Sequence, residues 1–193
     1  MKGRPILFES ENAVESAQGL FWEKGYTASS LSDLLTATGM GSGSFYNTFK
    51  GGKKELFKKA LLQRRAAFNK FKEELDKQES PIELIKDFFR STATTDISGH
   101  LKGCIIANTI VEMTFLEQDL LEEATAIMKD TETMYTAAIK KGQEDGLIKN
   151  QTDPAILGRY LITFWAGLNV LRRIYPEPEI LLEQIELQLK VIS

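Results

Sequence analysis

Apolar residues recur at three- and four-residue spacings along most of the chain, and no alternation of apolar and polar positions is long enough for a strand. The pattern predicts an all-α protein. Ser10 or Asn12 can cap a first helix running to about Lys24, with Ala13, Val14, Ala17, Leu20 and Phe21 on one face and Gly25 as its stop. The stretch from Ser30 to Phe49 then reads as two short helices about a glycine turn. Ser30 is placed as an N-cap with Asp33 three residues on, and Leu31, Leu34 and Leu35 form one apolar face. Gly39 can take the positive φ that ends a helix. From Gly41 to Thr48 the side chains are small or hydroxylic except for Phe45, Tyr46 and Asn47.

Longer helices follow. Residues 53–77 place Phe57, Ala60, Leu61, Phe68, Phe71 and Leu75 on one face, and Ser80-Pro81 and Asp153-Pro154 each pair a cap with a first-turn proline. Thr94 to Lys102 reads as a polar loop, with His100 an ordinary member of it. Gly103 to Phe115 is apolar on most sides, which predicts a helix buried inside the domain. Leu157, Leu161, Phe164, Leu168 and Leu171 form a packing seam, and a last amphipathic helix, Ile180 to Ile192, adds Ile185 and Leu189. This is more apolar surface than one small domain uses. It predicts that these seven residues join two copies in a four-helix bundle across a two-fold axis; a hairpin buried within one copy is the competing reading.

A chain of 193 residues with 42% apolar and 26% charged residues can bury a substantial core. Neither a signal peptide nor a membrane span is recognisable, so a cytoplasmic protein without a membrane partner is expected. Cys104 and His100 are the only residues of their kinds, which excludes an intrachain disulfide and a thiolate- or imidazole-rich metal centre. Cys104, in an apolar run, reads as an inert packing residue, with a redox sensor as the competing role. One histidine supports no Ser/His/acid set. The glycines from Gly39 to Gly43 have no strand before them and no Walker lysine after them, so neither an enzyme nor a cofactor is expected.

Charge alters the picture more. The net charge is −3, yet residues 40–72 carry nine basic side chains against Glu55 alone, a local +8. Positive charge directly after two short helices is where a helix-turn-helix protein contacts phosphates, the second helix lying in the major groove. Lys2 and Arg4 form a basic arm that could reach a minor groove, a frayed terminus being the competing reading. A helical adaptor that binds only proteins is the rival reading, and it leaves the basic segment unexplained.

Residues 9–60 resemble the TetR family of bacterial transcriptional regulators. The resemblance runs through Ala17, Leu20, Phe21, Gly25, Tyr26, Ser29-Ser30-Leu31, Asp33-Leu34, Gly39, Gly43-Ser44-Phe45-Tyr46, Phe49 and Lys54-Glu55-Leu56-Phe57; Gly103 through Glu112 is similar to one branch of the family's variable half. The resemblance implies about nine helices and a homodimer, with a helix-turn-helix domain at 1–52 (motif 30–49). A ligand-binding and dimerisation domain would then span 53–193, helix 53–77 acting as connector. It implies double-stranded operator DNA as partner and an unidentified small-molecule effector that releases it. By position, Ser30, Leu31, Gly41, Ser42, Ser44, Tyr46, Asn47 and Thr48 would face DNA, with Lys53 or Lys54 on phosphate. No arginine or lysine stands on the second helix, so bidentate guanine readout is absent there. Phe88, Phe89, Met113, Phe115, Met128, Tyr135 and Trp165 are candidate walls of an effector pocket, with core packing as the competing role. Asn108 and Glu112, one turn apart, are its candidate polar pair.

Overall fold

A computed structural model describes residues 6–193, with side chains from Ser10 onward. The expected arm, Lys2 and Arg4, lies outside the described residues. The elements are α1 (Ile6–Ala28), α2 (Leu31–Thr38), α3 (Ser42–Thr48), α4 (Gly52–Leu75), α5 (Pro81–Ser91), α6 (Ile97–Lys102), α7 (Ile105–Met113), α8 (Gln118–Glu144), α9 (Pro154–Ile174) and α10 (Pro178–Leu189), with single 3-10 turns at Thr92–Thr94 and Lys190–Ile192. The stretch expected as a polar loop holds α6. Its cap is Asp96, whose carboxylate accepts from the Gly99 N–H at 2.7 Å.

The described residues form two compact units. One takes the chain through Ala67 together with Ile105–Thr125; the other takes Phe68–Cys104 and Ala126–Ser193. This division differs from a split at residue 52, because α7 and the first turns of α8 pack with the N-terminal helices.

In the N-terminal unit, Ala17, Phe21, Leu34, Phe45, Phe49, Leu56, Phe57 and Leu61 are essentially inaccessible. Phe21 meets Phe57 edge to face at 4.8 Å, and each such buried side chain contributes about 1.5–3 kcal/mol. Gly25 breaks α1 as expected, with φ 79°, and the buried Ser29 hydroxyl donates to its carbonyl at 2.6 Å. α7 is less enclosed than its composition predicts. Ile105, Ile106, Thr109 and Met113 are buried, but Val111 is 80% exposed and Phe115, just beyond the helix, 95%.

The C-terminal unit centres on Phe89, which stacks on Phe164 at 4.8 Å, within a core that includes Ile82, Ile85, Tyr135, Ile139, Leu181 and Ile192. Here the interface expectation is corrected. Leu157, Leu161, Phe164, Leu168, Ile185 and Leu189 are all buried in this chain's own core, the competing reading, and only Leu171, partly buried against it, keeps surface for a second copy. The apolar residues that α9 and α10 leave exposed are Ile156, Val170, Ile174, Ile180, Leu182 and Leu187. A four-three spacing marks a buried stripe but is silent on whether its partner belongs to the same chain.

Candidate DNA-binding surface

The surface is built on α2 and α3. Ser30 accepts from the Asp33 N–H at 3.1 Å, while the Asp33 carboxylate accepts from the Ser30 N–H at 3.0 Å and the Ser30 hydroxyl at 2.8 Å. This is the reciprocal capping box expected from the sequence. Hydrogen bonds from the Ser30 hydroxyl and N–H, then Lys24 at 3.1 Å, hold the Asp33 carboxyl at about 2, below its ordinary 3.8. Gly39 ends the helix with φ 66°.

α3 is anchored by Phe45, fully buried and packed on Phe49 at 5.4 Å. Gly41, Ser42, Ser44, Tyr46 and Asn47 are exposed, Thr48 half-buried. Tyr46 stands edge to face against Phe45 at 5.3 Å and keeps 49% of its surface open. Of the α2 residues expected to face DNA, Ser30 is exposed but engaged in the box, and Leu31 is half-buried.

The basic stretch is less open than its sequence implies. Lys54 pairs with Glu117 and Asp119, each at 2.8 Å, and those two carboxylates hold its pKa above the usual lysine value. Lys53 lies 4.4 Å from the centre of the Tyr26 ring and donates to the Thr27 carbonyl at 3.4 Å; burial pulls its pKa down. Arg65 pairs with Glu123 at 3.2 Å, and Arg64 lies 4.4 Å from the Trp22 ring centre. Lys50, directly after α3, is exposed.

Glu112 is the residue whose role the sequence did not reveal. Its carboxylate accepts from the N–H groups of Tyr26 at 2.9 Å and Thr27 at 2.7 Å. These bonds join positions more than eighty residues apart, and no local spacing announces them. The expected polar wall of a pocket is thus committed to the end of α1.

Of the nine expected pocket residues, Asn108, Glu112, Met113 and Phe115 lie in the N-terminal unit and Phe88, Phe89, Met128, Tyr135 and Trp165 in the C-terminal unit. Phe89, Met113 and Tyr135 are closed in cores, and Phe115 faces solvent. A groove on the C-terminal unit is lined instead by Leu75, Pro81, Met134, Ala137 and Ala138 with Lys72 and Lys141 at its edge. No helix among the described residues is long and apolar enough to cross a membrane.

Comparison with known proteins agrees with this geometry. Residues 13–60 match the model of the bacterial regulatory proteins of the tetR family, and residues 82–185 match the tetracyclin repressor-like C-terminal domain. The chain is 29% identical over 162 residues to the HTH-type transcriptional repressor DhaR of Mycobacterium sp. strain GP1, covering 81% of this chain and 78% of that one. It is 28% identical over 177 residues to the HTH-type transcriptional repressor ComR of Escherichia coli K12, covering 89% and 83%. Among solved structures it resembles a cysteine mutant of the TetR family regulator CifR complexed with 26bp double-strand operator DNA, with a TM-score of 0.82, 25% identity and coverage of 98% and 100%. With a capped helix-turn-helix whose second helix presents a polar face, and family models spanning both halves, the chain belongs to the TetR family of bacterial regulatory proteins and is a DNA-binding transcriptional regulator.

Proposed function

We propose that this chain is a repressor that binds a palindromic operator as a homodimer and leaves it when a small molecule binds. The observation that carries the DNA assignment is α3, a helix with a buried aromatic anchor and an outward face of Ser42, Ser44, Tyr46 and Asn47. Such a face has no interior partner to serve. It suits hydroxyl and amide contacts to phosphates, base edges and bridging water. We assign residues 1–52 to operator binding and 53–193 to effector binding and dimerisation. The exposed face of α9 and α10, through Val170, Ile174 and Leu187, is the surface proposed to meet a second copy. Two recognition helices must then sit about 34–36 Å apart to enter successive major grooves, and an effector that changes this distance releases DNA. To do so it must favour one state by several kcal/mol.

The test is electrophoretic mobility of DNA selected from a random library by the purified protein, together with its own upstream region. A retarded, inverted-repeat sequence is expected. Failure to enrich any sequence overturns the operator assignment, and failure on the upstream region alone removes only self-regulation.

A further inference from the structure

The groove on the C-terminal unit lies between the last turns of α4, the start of α5 and the second half of α8, and has a volume of about 260 Å³. Its floor is apolar: Leu75, Met134 and Ala138 are buried, and Pro81 adds to the lining. Met134, Ala137, Ala138 and Lys141 occupy positions i, i+3, i+4 and i+7 of α8, so one helix face carries both an apolar wall and a cation. On α4, Lys72 and Leu75 repeat that combination one turn apart. The exposed Thr133 and Ala137 leave the groove open to solvent.

The rim carries charge that the chain does not match. The Lys72 ammonium makes no ion pair or hydrogen bond with any described residue, Asp76 one turn on included. The Lys141 ammonium has one hydrogen bond, to the Gln78 carbonyl at 3.3 Å. Two lysines against Asp76 give the lining a net charge of +1. Water serves an exposed lysine well, so Lys72 alone would indicate nothing. What sets it apart is the buried apolar floor that begins one turn away at Leu75.

We propose that this groove binds a small amphipathic monoanion, its apolar body along Leu75, Met134, Ala137 and Ala138 and its acid head at Lys72, with the Lys141 charge in support. A dianion exceeds the charge of the rim and sets its second head against Asp76. A neutral amphiphile gains the floor but not the rim. The volume falls just below the range of about 300–1,000 Å³ common for small-molecule sites, so the body is short. Met134, unbranched and flexible, can adapt to its shape. The proposal gives the effector a chemical class and in that respect rests on reading residues 53–193 as the effector-binding part, but binding is measured without DNA.

The experiment uses the full chain, isotope-labelled at its five methionine methyl groups, with the Met134 resonance assigned by Met134→Leu. It is titrated with octanoate and with octanamide, a neutral molecule of the same chain length. Octanoate is expected to move the Met134 resonance to saturation with a Kd about threefold below that of octanamide, the scale of one exposed ion pair. Lys72→Gln raises the octanoate Kd to that of octanamide and leaves octanamide unchanged. Ala137→Phe, at an exposed position, fills the groove and removes both responses. An unmoved Met134 resonance, equal Kd values in the wild type, or undiminished octanoate binding in Lys72→Gln overturns the site. Saturating octanoate is further expected to abolish retardation of the selected DNA, and binding without that release overturns the groove as the effector site. A protein that retards DNA but does not bind octanoate loses this site and keeps its operator reading. One that binds octanoate without retarding DNA does the reverse.

Discussion

The Glu112 carboxylate takes the N–H of Thr27 at 2.7 Å and that of Tyr26 at 2.9 Å, the two amides that directly follow the break at Gly25. The φ of 79° there favours glycine, and a Cβ would in addition lie 3.1 Å from the nearer carboxylate oxygen and press on it. α7 is thereby fixed to the corner from which α2 departs.

Glu112→Ala is expected to cost about 1.5–3 kcal/mol, the range for hydrogen bonds to a charged group. It should also speed amide exchange at Tyr26 and Thr27, which hydrogen exchange reads directly. Glu112→Gln keeps one acceptor and should lose less. An unchanged exchange rate in the alanine variant would show that the two bonds are not held in solution.

Ser30→Ala is expected to cost about 0.5–2 kcal/mol and to weaken operator binding by fraying the start of α2. Folding lowers the Asp33 carboxyl from 3.8 to about 2, so the box stabilises the protein fully above pH 3.8 and that contribution is lost as pH falls towards 2. Circular dichroism during acid titration of the wild type and Asp33→Asn should show their stability difference shrinking across that window.

Lys50→Ala and Lys54→Ala should separate. With Lys50 exposed beside α3, its removal is expected to reduce the slope of log affinity against log salt by about one, with little change in melting temperature. Lys54 is occupied by Glu117 and Asp119, so its removal should lower the melting temperature only slightly, the pairs being exposed, and leave the slope nearly unchanged.

Val170→Glu, on the open face of α9, is expected to yield folded monomers in sedimentation experiments. Leu161→Ala, in the buried seam, should instead cost about 2–5 kcal/mol through cavity formation whatever the oligomeric state. A dimer that tolerates Val170→Glu would locate the interface elsewhere.

Burial first, then the neighbouring Arg172, lowers the His100 pKa below 6.5. The folded state therefore takes up its proton less readily than the unfolded chain. Stability is complete above pH 6.5 and falls as pH drops towards the folded value, and His100→Gln should flatten that part of the melting-temperature profile between pH 7.5 and 5.5.

Local chemistry was legible from the residues alone. The Ser30–Asp33 box, the left-handed Gly39, the anchor Phe45 and the prolines at the starts of α5 and α9 depend on neighbours within a turn. What depends on distant partners was not. Spacing gave the stripe from Leu157 to Leu168 but could not tell α5 and α10 of the same chain from a second copy. Lysine content gave the +8 segment but not the acidic residues 117, 119 and 123 that meet part of it. At Ser80 the position of the cap was legible while its chemistry was not: the hydroxyl makes no capping bond.

That α7 and the first turns of α8 belong with the chain through Ala67 bears on how such regulators can be recombined. A chimera joined at residue 52 would separate the Tyr26 and Thr27 amides from their own Glu112 and inherit whatever the recipient carries there. An exchange that keeps this unit whole would transplant two segments, the chain through Ala67 and Ile105–Thr125. In this chain the compact unit that carries α2 and α3 is discontinuous in sequence.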